Sequence, residues 1–194
     1  MAKDRNRVCP VELASGLDGK LRRFLQNPHK ILAPYLRQGM TALDLGCGPG
    51  FFSIEMAEMI GDSGRVIAAD LQDGMLELLR GKIRGSLLEK RIKTVRCDKD
   101  KINVTDTVDF ILTFYMVHEV PDKNSFFAQL YHILRENGEL LLVEPKLFHV
   151  SRKEFELTLQ LAEKCGFQRH PAPPLALSWT AILRKAGTGR SNSN

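Results

Sequence analysis

The stretch Thr41–Phe52, TALDLGCGPGFF, sets Gly46, Gly48 and Gly50 into five positions directly after an apolar run. Glycine adopts positive φ at no steric cost and lets another group approach the backbone closely. Asp44 stands two residues before the first glycine. An acid there implies something cationic or rich in donors beside it. The residues before the glycines read as a strand, and FFSIEMAEMI after them repeats apolar residues at helical spacing up to Gly61. The loop therefore opens a helix, whose free N–H groups and dipole favour an anionic group.

The same alternation continues outward. MTALDL, RVIAAD, IKTVRC, VDFILTF and ELLLVE read as five strands, mostly apolar on both faces. Between them FFSIEMAEMI, LQDGMLELLRGKIRGSLL and SFFAQLYHIL read as helices, the last ended by Asn137-Gly138 as a left-handed cap. SRKEFELTLQLAEKCGF follows as a helix with Ser151 and Glu154 as its capping box, and LALSWTAILRK is a final strand. Upstream, LDGKLRRFLQNPHKILAPYL reads as two helices broken at Asn27-Pro28, with Pro28 in the first turn of the second. Strands alternating with helices mean an α/β fold, a parallel sheet covered on both sides in a Rossmann-like three-layer sandwich. Residues 1–38 are expected to form a helical lid or cap, 39–186 the ligand-binding domain, and 187–194 a disordered polar tail.

The 194 residues suit one domain. Apolar runs such as FILTFYMV stop well short of the ~18–20 residues a membrane helix needs. The first ten residues lack the apolar core of a secretory signal, so a cytoplasmic protein is expected. Cys9, Cys47, Cys97 and Cys165 form no CxxC pair, which argues against a zinc site or disulfide framework and for separate reduced thiols. No metal site is expected; Cys9 and Cys97 are the thiols to look for at a pocket. Net charge is +5, and residues 80–101 hold nine Lys or Arg against three acids. Without interleaved aromatics these charges read as a solvated face rather than a nucleic-acid site.

Ligands of such sheets bind beyond the carboxyl ends of the strands. A dinucleotide fingerprint G-x-G-x-x-G/A, counted from Gly46, would need Gly or Ala where Phe51 stands. S-adenosylmethionine fits instead: its carboxylate and ribose would face the loop, and its ammonium and sulfonium would face Asp44. Asp70 closes the second strand, 24 residues after Gly46, where a carboxylate accepts from ribose hydroxyls. A NAD site would use the same acid, so a NAD-dependent oxidoreductase is one rival. An RNA-binding or RNA-methylating protein and a cofactor-binding protein without catalysis are the others.

LDLGCGPGFFSIEMA resembles motif I of the class I S-adenosylmethionine-dependent methyltransferases, a D-x-G-x-G-x-G pattern. VIAADLQDGML resembles their second motif, FYMVHEVPD the segment after strand four, and LYHILRENGELLLVEP the approach to strand five. The resemblance covers about residues 40–145 and is nearest to the small-molecule type that includes quinone and arsenite methyltransferases. It implies a seven-stranded sheet ordered 3-2-1-4-5-7-6 with an antiparallel last strand. It implies cofactor contacts from Asp44, Gly46, Cys47, Gly48 and Gly50, with Asp70 and Leu71 at the ribose and adenine edge and Asp98 at the adenine amino group. Two positions depart from the pattern: Cys97-Asp98 stands for the usual Gly-Asp, and Tyr115 stands for an Asn.

Methyl transfer from a sulfonium needs alignment above all, and a base only where the acceptor loses a proton. His118, after strand four, is the candidate base, with Tyr115 and then Glu119 behind it. In the N-terminal segment Leu21, Phe24 and Leu25 would form an apolar lid, with Arg22 and Arg23 for an anion. Leu147 and Phe148 would add a wall. No large insertion follows strand five, so a small or planar methyl acceptor is expected, or a site completed by a partner chain such as a homodimer's second copy.

Overall fold

The computed structural model describes residues 26–146 and 150–186. The expectations for the lid residues up to Leu25, for Cys9, for Leu147 and Phe148 and for the tail fall outside the described residues.

Helix α1 (Pro28–Leu32) starts on Asn27, whose side chain accepts from Lys30 N, with Pro28 at the first helical position. Strand β1 (Thr41–Leu45) leads through the glycine loop into α2 (Phe51–Ile60), then β2 (Arg65–Asp70) and α3 (Asp73–Ile83). The expected single helix after β2 ends early. Arg84 and Gly85, the latter with a φ of 72°, turn the chain, and a separate short helix α4 (Leu88–Arg91) precedes β3 (Ile92–Arg96). Strand β4 (Val108–Phe114), a 3-10 turn (Val117–Glu119) and α5 (Lys123–Ile133) follow. Asp122 caps α5 by accepting from Ser125 N.

Strand β5 (Leu134–Pro145) begins directly where α5 ends. Val108 pairs with Leu134 and Phe110 with Glu139, so residues 135–138 bulge out of register. The expected left-handed cap at Asn137-Gly138 is not formed, because neither residue has a positive φ. Gly138 is required for space: a Cβ there would lie 2.6 Å from Leu134 Cδ1. Helix α6 (Arg152–Lys164) has the expected Ser151–Glu154 capping box. Strand β6 (Phe167–His170), which begins at the expected end of the preceding helix, and β7 (Ser178–Lys185) complete the fold.

The seven strands are ordered β3-β2-β1-β4-β5-β7-β6. β7 runs antiparallel to β5 and β6, and the other neighbours are parallel. Alternation along the strands divides the core in two. Leu43, Ile67, Ile111 and Leu142 face α5 and α6, packing on Phe127, Leu130 and Leu159. Ala42, Val66, Leu112 and Val143 face α1, α2 and α3, packing on Leu32, Met56 and Leu79. No described helix is long and apolar enough to cross a membrane.

Candidate functional site

A cavity of about 890 Å³ opens at the carboxyl ends of β1, β2, β3 and β4. Its walls include Gly46, Cys47, Gly48, Asp70, Leu71 and Asp98, six of the eight residues expected at the cofactor. Their arrangement follows from the loop's backbone. Gly46, Gly48 and Gly50 have φ of 75°, 53° and 91°. The neighbours that exclude side chains are protein atoms: a Cβ on Gly46 would lie 2.9 Å from Met116 Cγ, and one on Gly50 would run into Leu79 Cδ1. The glycines thus let the loop nest between the post-β4 turn and α3. Gly50 lies behind the wall and is the N-cap of α2, without a side-chain cap.

Asp70 is buried, and its two oxygens are aimed by the backbone. Oδ2 accepts from Gly48 N at 2.9 Å and Oδ1 from Gln72 N at 2.9 Å. Burial raises its pKa from the ordinary carboxylate value, partly offset by these backbone donors. A desolvated carboxylate with spare acceptor capacity, fixed to the glycine loop on a cavity wall, suits a pair of ribose hydroxyls. Asp98 also lines the cavity and accepts from Asn103 Nδ2 at 3.0 Å. Gln129 of α5 fastens the loop between them: its amide donates to Asp100 O and its carbonyl accepts from Ile102 N.

Asp44 is not brought to the cavity. Period-two alternation puts it on the Ala42 side of β1, toward α2. There it is 2% exposed and accepts from Ser53 Oγ at 2.5 Å. A carboxylate in the first turn of a helix offsets its dipole. The structure thus gives Asp44 a partner in the capless start of α2, where the sequence suggested a cationic ligand.

His118, expected as the base, also lies off the cavity wall. Glu144, 2% exposed at the end of β5, accepts from Val117 N, His118 N and His118 Nδ1, the last at 2.7 Å. Burial lowers the imidazole pKa, but the Glu144 bond and charge outweigh it and the net shift is upward. The Glu144 bond orients the ring through Nδ1, and Nε2 lies 3.9 Å from Glu119 Oε1. It fastens the post-β4 turn to β5. Glu119 and Tyr115 do line the cavity.

Tyr115 has a φ of 60°, a conformation that an aromatic residue rarely adopts and an Asn tolerates well. The expected family residue at this position is that Asn. The strain, on the order of 1–3 kcal/mol, is held by Tyr115 N donating to Val143 O and by a hydroxyl contact with Ser178 Oγ at 2.6 Å. Phe51, Phe52, Phe114 and Tyr115 form a continuous ring contact along the wall, with centroids 5.0, 4.6 and 4.4 Å apart.

Burial pushes Cys97 up to about 12 and raises Cys47 well above its usual value. Among the described residues no cluster of three or more His, Cys, Asp or Glu is arranged around a metal position. Of the nine cations of the basic stretch, Arg91 pairs with Asp62, Lys93 with Asp106 and Arg96 with Asp73. Gln26, Gln129 and Ser178 had no signal in the sequence, since their roles depend on partners far along the chain.

Sheet order, glycine loop and aimed acid together define a class I S-adenosylmethionine-dependent methyltransferase domain. Residues 42–138, half of the chain, match the methyltransferase domain family, and the chain belongs to that family. It is 29% identical over 157 residues, 80% of its length, to the ubiquinone/menaquinone biosynthesis C-methyltransferase UbiE of Marinomonas sp.. It is 34% identical over 110 residues to the demethylmenaquinone methyltransferase of Lactobacillus johnsonii. The chain spans 60% and 45% of the lengths of these two relatives. A crystal structure of a SAM dependent methyltransferase from Aquifex aeolicus superposes with a TM-score of 0.79 and 25% identity, over 91% of this chain and 98% of that one.

Proposed function

We propose that this chain binds S-adenosylmethionine and methylates a small planar aromatic acceptor of the quinol type. The observation that carries the proposal is the cavity itself, where the glycine loop and Asp70 share one space with the aromatic wall. Its volume lies within the ~300–1,000 Å³ range of small-molecule sites. When bound, the cofactor supplies an electrophilic methyl group on a sulfonium. Gly48 and Asp70 would hold its ribose, and Leu71 and Asp98 its adenine end. Phe52, Phe114 and Tyr115 would align a flat ring and exclude water. Such alignment is worth up to ~7–11 kcal/mol of barrier in favourable cases. The names of the two relatives refer to ubiquinone and menaquinone biosynthesis and to demethylmenaquinone, which supports the acceptor class. If the acceptor gives up a proton, Tyr115 and Glu119 on the wall and His118 beside Glu119 are the candidate groups.

The domain bounds 39–186 and a cytoplasmic location belong to the same proposal. The described cysteines are free thiols, as a reducing compartment keeps them. Incubation with methyl-labelled cofactor and a panel of naphthols, catechols and hydroquinones tests the reading. Label on an aromatic product is expected. Firm cofactor binding with label on none of them, but on RNA or a non-aromatic metabolite, would replace the acceptor class.

A further inference from the structure

Tyr115 sits on the cavity wall and its hydroxyl has two partners, Ser178 Oγ at 2.6 Å and Gln26 Nε2 at 3.0 Å. Counting hydrogens fixes their direction. Ser178 Oγ also lies 3.0 Å from Ala176 O, a carbonyl that only accepts, so the serine proton belongs to that bond. The contact between the two hydroxyls then takes its proton from Tyr115. The Gln26 amide donates to the same phenol oxygen, and the network assigns its NH2 group to that side. Tyr115 therefore has its proton turned away from the cavity. What it offers a ligand is the one lone pair that the Gln26 bond leaves unused.

We infer that Tyr115 is a specificity-determining residue that selects a methyl acceptor carrying a hydroxyl or N–H donor, with Ser178 as the positioning residue that turns the phenol. The inference rests on the proposed acceptor site, not on the cofactor contacts. A ring whose only polar groups are carbonyls or ethers meets lone pair against lone pair at Tyr115. A phenol meets its complement. The strained backbone at Tyr115 is consistent with this placement, since it projects the ring to a point shared by β4, β7 and the segment entering α1.

The test compares 1-naphthol with 1-fluoronaphthalene, which matches its shape and cannot donate, by equilibrium dialysis in the presence of S-adenosylhomocysteine. The intact chain should bind the naphthol roughly 3–10-fold more tightly, the range for one neutral hydrogen bond. Tyr115→Phe should bring the two affinities together. Ser178→Ala, which releases the phenol proton toward the cavity, should reduce the preference while the phenol remains. Cofactor-product affinity should stay within about twofold in both, since their side chains lie outside the proposed ribose and adenine contacts. An unchanged naphthol preference in Tyr115→Phe overturns the inference, as does equal binding of both probes by the intact chain. If Tyr115→Phe does not fold, an unchanged preference in Ser178→Ala overturns it. Loss of the preference in a chain that methylates no aromatic probe would leave the inference standing and overturn the proposed reaction instead.

Discussion

The two halves of the cavity are built by different means. The half around Gly46–Gly50 and Asp70 is made by backbone: left-handed glycines, a helix start, and a carboxylate aimed by N–H groups two and twenty-two residues away. The half around Tyr115–Glu119 is made by side chains that cross the sheet. Tyr115 reaches Ser178, 63 residues on, and His118 reaches Glu144, 26 residues on. Local backbone devices tolerate few substitutions and read out as motifs. Cross-sheet devices depend on geometry that no spacing rule encodes.

That contrast predicts the largest effect at the glycine loop. Gly50→Ala combines a φ of 91° with a Cβ pressed into Leu79. Strain and overpacking together should cost roughly 2–5 kcal/mol of stability. Gly81→Ala, inside α3 with open space around it, should instead stabilise by about 0.5–1 kcal/mol. Urea melts of the two variants separate a glycine needed for conformation from one that is not.

Next in size is Asp70→Asn. The amide cannot accept from both Gly48 N and Gln72 N in the same geometry and is uncharged. Cofactor affinity should fall by about 1.5–3 kcal/mol, the range for bonds to a charged group. Burial raises the folded pKa of Asp70, so its ionised form is a cost to the empty fold that grows as pH rises through that value. A calorimetric titration that finds cofactor affinity unchanged would move the ribose elsewhere.

In the other half, Glu119→Gln should slow turnover with a hydroxylated acceptor by ~10²-fold or more if it takes the proton. His118→Gln should then leave turnover within a few-fold. Steady-state kinetics that reverse this order would assign the base to His118. The smallest effect is on pH. His118 has a folded pKa raised by Glu144, so its stabilisation is complete below about 6.5, the unfolded value. It is lost as pH rises through the folded pKa. The stability difference between the intact chain and His118→Gln should therefore shrink as the medium becomes more alkaline, and a difference that grows would contradict the paired imidazolium.

How much was legible in the sequence follows the same division. β2, β4 and the start and end of α2 lie where the apolar runs and Gly61 put them, because buried parallel strands and short linkers leave few choices. The Ser151–Glu154 box was legible because capping is local. Asn137-Gly138 misled: in isolation the pair signals a left-handed turn, but here β5 starts at Leu134 and packing against Leu134, not φ, demands the glycine. Asp44 gained a partner that spacing does not encode. Spacing from the glycines suggested a ligand contact, while alternation along β1 turns the carboxylate to Ser53. His118 was placed correctly along the chain, but its buried partner Glu144 lies on another strand and could not be read from the segment around it.

The central claim is that the space between the glycine loop and Asp70 is an S-adenosylmethionine site. Isothermal titration of the chain with S-adenosylmethionine and, separately, with NAD tests it most directly. Saturable binding of the first at one site, weakened by Asp70→Asn, with no saturable binding of NAD, is the predicted result. Saturable NAD binding without binding of S-adenosylmethionine would contradict it.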